Sequence, residues 1–496
     1  MKKSIFGMLL MMESFFLALT ASVALFYHYR LSEQDWVAFA LTAAITFVCG
    51  ALLSAYGHST QKRTNNQLSR GGSVIIVGLT WVIFSLFGML PFIIYDGLKI
   101  DAISAFFETM NGFTTTGSTV LSNLESLPHG ILFWRSMMQW MGGLGIVVFS
   151  FALLPFGDMK NANMIQAEMT GITLSRLTPK IGSTARRLLF IYIMLTAGCT
   201  VMYWLGPMNL YDAVNHAMTT ISTGGYSTHS DNLGYFQSAY VEYVAAFFML
   251  ISAVNFSLYY YMTIWRGRIV YKNEELRAYF LMFLGLLAVF CLMFRFMALP
   301  ADAVAPQTGE EIFRTSFFHV SSIFTSTAFA GQNFDYVGWG VPFWMPTILM
   351  MIIGGCAGST SGGVKMVRVL VYLKYVMREF RIHLHPHAVI SVKLNNRVIP
   401  DQHIQRAMSY LALYVLLLIL GTMVFTMFLG YDMNTAFSAC VSSFSNVGPA
   451  LGSLGPAYNY ASVPAVGKLI LCGMMLIGRL EIFTVLFLFM PKSWRL

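Results

Sequence analysis

Phe113-Thr114-Thr115-Thr116-Gly117-Ser118 closes a short half-apolar run, and its pattern of hydroxyl residues ending in glycine returns three times. The echoes are Thr220-Ile221-Ser222-Thr223-Gly224-Gly225, Phe324-Thr325-Ser326-Thr327-Ala328-Phe329 and Phe444-Ser445-Asn446-Val447-Gly448-Pro449. Long apolar segments flank each copy, so the unit is apolar span, short helix, turn, apolar span. With the fifth residue of each turn as marker (117, 224, 328 and 448), the spacings are 107, 104 and 120 residues. Four copies at so regular a period predict a repeat architecture.

A run of small hydroxyl residues ending in Gly can take a partly left-handed, extended backbone, because Gly carries no penalty at positive φ. Its carbonyl oxygens then turn sideways. Four such turns around one axis would form rings of carbonyls able to replace the water shell of a dehydrated cation. Each preceding short helix would aim its C-terminal end, with roughly half a negative charge, at the same axis. The expected filter is Thr114, Thr115, Thr116, Gly117; Ile221, Ser222, Thr223, Gly224; Thr325, Ser326, Thr327, Ala328; and Ser445, Asn446, Val447, Gly448. A single Thr/Ser/Gly cluster would be an ordinary loop or packing site; four in register argue otherwise.

Composition sets the class. The 496 residues are 56% hydrophobic and only 11% charged, with mean hydropathy +0.64, which predicts an all-α polytopic membrane protein embedded in lipid. A net charge of +9 could suggest nucleic acid, but the basic residues are scattered among loops between apolar spans and report membrane orientation instead. The six cysteines lie in or beside apolar segments, without disulfide or metal-site spacing. The first apolar run continues to Tyr29 without a cleavage pattern, so it is expected to be a retained helix.

Taken in order, residues 1–70 hold a helix pair without a turn, followed by unit one (71–156), unit two (157–268), unit three (269–390) and unit four (391–496). Two crossings per unit plus the first pair predict ten. The loops 156–187 and 265–277 are basic, whereas 207–240 and 430–465 contain no Lys or Arg. Basic loops and both termini are therefore expected on the cytoplasmic side, with the turns opening outward. Met141-Gly142-Gly143-Leu144-Gly145 reads as close helix packing in lipid.

The third unit departs from the pattern. Its second span, 341–377, is longer than the roughly 20 residues one crossing needs and is broken by Gly354-Gly355-Cys356-Ala357-Gly358-Ser359-Thr360-Ser361-Gly362-Gly363. Five glycines in ten residues cannot sustain a helix. Irregular backbone at membrane depth must be buried in protein or line a cavity. Residues 354–363 are thus a candidate gate below the filter, with a packing-driven kink as the plainer reading. The fourth unit carries Gly478-Arg479-Leu480-Glu481 inside an apolar run. Arg479 is thirteen residues from Lys492, roughly 20 Å at about 1.5 Å per residue, too far to snorkel out. It is expected to be a pore-facing charge; an ion pair with a carboxylate of another span is the alternative.

Other residues carry less. His383, His385 and His387 alternate in a basic loop and fit a solvated face better than a metal site. Glu108, Asn215 and His319, nine residues before their markers, are expected to anchor the short helices. Arg135, near a span end, reads as snorkelling.

Together, the four units, the turns Thr114-Thr115-Thr116-Gly117, Ser222-Thr223-Gly224-Gly225-Tyr226-Ser227 and Ser445-Asn446-Val447-Gly448-Pro449, the glycine-rich break and Gly478-Arg479-Leu480-Glu481 resemble the Trk/Ktr/HKT superfamily of potassium transporters. The extra N-terminal pair is similar to the TrkH-type subunits. The resemblance spans essentially the whole chain. It implies potassium (K+) translocation through a single-chain pseudo-fourfold pore in a bacterial cytoplasmic (inner) membrane, a homodimer, and a cytoplasmic nucleotide-binding gating ring from a separate gene. No GxGxxG after a strand and no P-loop occurs here, so any nucleotide must come with that partner. One departure is Ala328, where the family pattern has Gly, which puts strict potassium-over-sodium selectivity in question. Two alternatives stand beside a channel-like uptake pore: a cation symporter whose broken span moves, and an intramembrane enzyme. Against the enzyme, there is no HExxH and no obvious intramembrane pair of carboxylates or Ser/His.

Overall fold

The computed structural model describes residues 2–64, 70–152, 181–263, 267–297, 299–300, 306–332 and 337–490; most of the basic 156–187 loop lies outside them. The chain is all-α apart from one two-residue hairpin, β1 (Lys393–Leu394) with β2 (Arg397–Val398). Helices α1 (Lys2–Leu31) and α2 (Trp36–Thr64) form an antiparallel pair at one side of the bundle, α1 packing on α3 (Arg70–Gly88) and α6 (His129–Ala152). Among the described residues, six helices are long and apolar enough to cross a membrane, and two further bent pairs pass the same test as units.

Four short helices are set into this frame: α5 (Ala102–Thr114), α8 (Leu210–Ile221), α13 (Gly309–Phe324) and α17 (Met433–Phe444). Each starts at a side-chain N-cap, which satisfies an otherwise orphaned amide. Asp101 accepts from Ser104 N, Asn209 from Asp212 N, Thr308 from Glu311 N in a full capping box, and Asp432 from Thr435 N. Hydrogen bonding from Ser104 and Thr435 holds the Asp101 and Asp432 carboxyls below the usual carboxylate range. All four helices bury most of their length.

The apolar segments that follow them differ. After the first turn, α6 runs unbroken for 24 residues. After the second, α9 (Ala239–Ser252) and α10 (Phe256–Thr263) meet at 90°. After the third, α14 (Val341–Ile353) and α15 (Met366–Leu384) are separated by the glycine-rich loop. After the fourth, α18 (Ala465–Leu480) and α19 (Ile482–Leu488) meet at 120°, with Glu481 at φ +69°. The break expected only in the third unit therefore has counterparts in the second and fourth. The run 466–490 has about the length of one crossing and so conceals the latter, since a single residue at positive φ bends a helix without lengthening it.

Candidate functional site

The four turns share one backbone geometry. In each, the second of the four turn residues is left-handed: Thr115 (φ +54°), Thr223 (+54°), Ser326 (+58°) and Asn446 (+52°). The next amide donates five residues back: Thr116 N to Asn111 O, Gly224 N to Thr219 O, Thr327 N to Ser322 O and Val447 N to Ser442 O, all at 2.9–3.0 Å. This is the Schellman cap, which normally has Gly at its left-handed position. Here that position holds Thr, Thr, Ser and Asn, and a non-glycine residue costs roughly 1–2 kcal/mol there. Strain repeated at one register in four places marks a site rather than an accident.

The shared geometry also corrects the internal register. A second positive φ falls at Gly117 (+91°), Gly225 (+78°), Ala328 (+55°) and Gly448 (+118°). The marker of the second turn is therefore Gly225, and its four residues are Ser222 to Gly225, one later than the sequence alignment placed them. Ile221 is the last residue of α8, equivalent to Phe113, Phe324 and Phe444. Two adjacent glycines left the register ambiguous. The caps would have resolved it: Asp101, Asn209 and Asp432 each precede the corrected marker by sixteen residues, and the third helix is one turn longer. The same shift replaces Asn215 by His216 as the equivalent of Glu108 and His319.

These equivalents brace the turns from behind. Glu108 accepts from Thr119 Oγ1 and Val120 N and pairs with Arg135 at 2.8 Å. His216 Nε2 meets Ser227 Oγ at 2.9 Å, and His319 Nε2 meets Thr347 Oγ1 at 3.0 Å. Arg135 does not snorkel; it is 1% exposed, donates to Ser227 O and lies 4.1 Å from the Tyr226 ring centroid. Gln139, with no sequence signal beyond being an amide in an apolar span, clamps the second turn by donating to Gly224 O and accepting from Tyr226 N.

The turns also meet one another. A Cβ on Gly117 would overlap the Gly224 carbonyl oxygen, one on Gly225 would overlap that of Thr327, and one on Gly448 would sit 2.6 Å from Thr116 O. Ser118 Oγ donates to Gly448 O. The carbonyl oxygens of Thr115, Thr116, Thr223, Ser326, Thr327, Asn446 and Val447 accept no hydrogen bond among the described residues, although all seven residues are buried. At the far end of the turns from their helices lies a cavity of about 280 Å³ lined by Gly117, Gly225, Ala328 and Pro449, so all four turns reach one opening.

Directly behind the turns, on the opposite side from this cavity, sits the glycine-rich loop. Gly354, Gly358 and Gly363 have φ of +67°, +72° and +71°. Gly355 N is bonded to Ser361 Oγ, and Ser359 Oγ to Cys356 O. Thr360 Oγ1 donates to Ile221 O, Gly362 N to Ser326 Oγ at 2.6 Å, and Gly363 N to Ser445 O at 2.9 Å. The loop thus touches the third and fourth turns and the end of α8, just before the second. A Cβ on Gly362 would overlap Ser445 O, which is why this approach needs glycine. In the first unit, Gly142 of α6 makes the equally close approach to Phe113 O, as its packing motif predicts.

Arg479, 6% exposed, donates to Thr360 O of the loop at 2.7 Å and to Gly142 O at 3.3 Å. No ion pair to it occurs among the described residues; Glu481 pairs instead with Arg368 at 2.6 Å. The alternating histidines are exposed, and no group of three metal-ligating side chains occurs among the described residues.

The model of the TrkH cation transport proteins matches residues 37–496. The chain is 36% identical over 498 residues to the Trk system potassium uptake protein TrkH of Salmonella typhimurium, covering 99% of this chain and 98% of that one. The identity is again 36%, over 499 residues with the same coverage, to the Escherichia coli protein of that name. The crystal structure of the potassium transporter TrkH from Vibrio parahaemolyticus superposes with a TM-score of 0.86 at 32% identity over 99% of both chains. With a family match over most of its length and relatives aligned end to end, the chain belongs to the TrkH family of cation transport proteins.

Proposed function

We propose that this protein takes up potassium through a pore whose filter is formed by residues 114–117, 222–225, 325–328 and 445–448. The observation that carries the reading is the set of buried turn carbonyls without protein partners, since an unpaired buried carbonyl costs free energy that a dehydrated cation on the axis would recover. Four capped helices ending at these turns add a negative potential there. Residues 354–363 act as the gate: they lie against the third and fourth turns and the end of α8, and interrupt the route on its inner side. Arg479 holds this loop and places a positive charge beside the path. The relatives named as Trk potassium uptake proteins support the choice of ion. Control by a cytoplasmic nucleotide-binding subunit, a homodimeric assembly, and placement in a bacterial inner membrane with cytoplasmic termini belong to the same reading.

The test is flux from proteoliposomes of purified protein under a potassium gradient, with and without a proton gradient. Passive conduction predicts potassium flux that follows its own gradient and persists when the proton gradient is collapsed. Flux that requires the proton gradient would replace the pore by a symporter. No flux of any alkali cation from folded, reconstituted protein, with or without its cytoplasmic partner, would overturn the reading.

A further inference from the structure

The gate loop is tied to the cytoplasmic side of the molecule by two adjacent glutamates at the start of α12 (Glu274–Phe296). Glu275 is 1% exposed, and its Oε1 accepts from Ala357 N, inside the loop, at 2.6 Å. Glu274 faces the other way. Its amide donates to Asn395 Oδ1 at 2.8 Å and its Oε1 accepts from Asn395 N at 2.9 Å, a reciprocal pair with the tip of the β1–β2 hairpin. Lys374 of α15 completes the joint, pairing with Glu274 Oε2 and donating to Lys393 O. Asn395 and Asn396 both have left-handed φ, +49° and +62°, the geometry of the tight turn that matches strand twist.

An independent apolar contact links the same two regions. Val392, Leu394 and Ile399 of the hairpin segment bury themselves with Val367 and Val371 of α15 in a small cluster separate from the main core, and the loop's Ala357 belongs to that cluster. Ala357 is thus held through its amide by Glu275 and through its burial in the cluster that α15 and the hairpin segment build. The loop's remaining bonds go to the third and fourth turns, to Ile221, Ser252, Ala253 and Phe256, to Lys365 and Met366 at the start of α15, and to Arg479.

We propose that the hairpin is a handle for the gate loop, with Glu275 as the positioning residue and the Asn395–Glu274 joint as the point where a cytoplasmic partner's movement reaches it. This rests on the reading of 354–363 as the gate. A hairpin displaced from Glu274 would turn the first residues of α12 and release the charge-assisted bond to Ala357. Such bonds are about twice as strong as neutral ones.

The test uses full-length protein in proteoliposomes and two readouts: amide hydrogen exchange of residues 354–363, and potassium flux without any partner. Asn395→Ala removes the Oδ1 acceptor for Glu274 N while leaving the amide of residue 395 on Glu274 Oε1, and without touching the loop's own bonds it should speed exchange at Ala357 severalfold. Glu275→Ala should do at least as much, and Glu275→Gln, which keeps an acceptor oxygen, should largely restore protection. Faster exchange with higher flux supports the handle and the gate together. Faster exchange with unchanged flux supports the handle while removing the gate reading. Unchanged loop exchange in Asn395→Ala overturns the handle, even where Glu275→Ala fails to fold.

Discussion

The first and third units share helix and turn geometry to within a few degrees at the left-handed cap, yet differ in what lies behind it. Behind Thr114–Gly117, an unbroken α6 supplies Gly142 against Phe113 O and Gln139 against the second turn. Behind Thr325–Ala328, a helix gives way to a ten-residue loop whose Ser361 and Gly362 bond to Ser326. The cavity side of both units is braced by buried side chains, whereas the loop side of the third is held by main-chain bonds and single side-chain contacts. Braced turns suit the proposed discrimination between ions, and a loop retained by a few breakable bonds suits the proposed opening and closing.

Substituting glycine in the braced unit should have the largest effect. Gly117→Ala places a methyl against the Gly224 carbonyl at a φ of +91°. Overpacking of this kind costs about 1–3 kcal/mol before the backbone strain is added. The expected outcome is loss of potassium flux with a lower thermal midpoint in detergent. Normal flux and stability would show that the first turn is as forgiving as the third.

Shortening the loop tests the other side. Removing several of residues 354–363 should leave a protein that conducts without its cytoplasmic partner, at least severalfold above the intact chain. A shortened protein that folds and still waits for the partner would take the gate away from this segment.

Arg479 joins the two compared regions, since one guanidinium donates both to Gly142 in the first unit and to Thr360 in the third. On the proposed route, its charge would oppose a passing cation by roughly 0.7–3 kcal/mol at about 6 Å, for effective dielectrics of about 80 down to 20. Arg479→Ala should therefore raise flux severalfold with little change in selectivity. Arg479→Lys separates the two causes, because an ammonium keeps the charge but lacks the rigid fork that spans two carbonyls. Flux that rises in Arg479→Lys as much as in Arg479→Ala assigns the effect to the lost bridge; flux that stays at the parent level assigns it to charge. A fall in flux per folded molecule in both would remove Arg479 from the pathway.

Much of this was legible in the sequence because it is written in residue type. The four turns, the glycine-rich break and the unsnorkelled arginine all violate what an apolar span should contain. The one-residue slip in the second turn arose because Gly224 and Gly225 are equally good glycines, and only the cap at Asn209 and the positive φ of Gly225 distinguish them. The bends at Val254 and Glu481 were hidden because hydropathy is blind to φ. Arg135, Gln139 and Glu275 were undervalued because their partners, Glu108, Gly224 and Ala357, are 27, 85 and 82 residues away in sequence.

The smallest and most selective effect is expected at Ala328. Its φ of +55° is that of an ordinary left-handed residue, whereas Gly117 and Gly448 reach +91° and +118°, which a side chain resists. The methyl thus keeps the third turn nearer the helix-like value and places a carbon in the lining of the cavity, 5% exposed. Unlike a methyl on Gly225, which would strike Thr327 O, this one is accommodated. Ala328→Gly should leave stability within about 1 kcal/mol, because relief of left-handed strain is offset by the greater freedom of glycine in the unfolded chain. Freed of the methyl, the backbone can move toward the φ of its three counterparts, making the carbonyl ring more nearly fourfold. Its expected consequence is stronger discrimination against sodium at similar potassium flux, read from the potassium-to-sodium permeability ratio of the two forms under identical gradients. An unchanged ratio would mean that the asymmetry between the third turn and the others ends at the backbone and does not reach the ion.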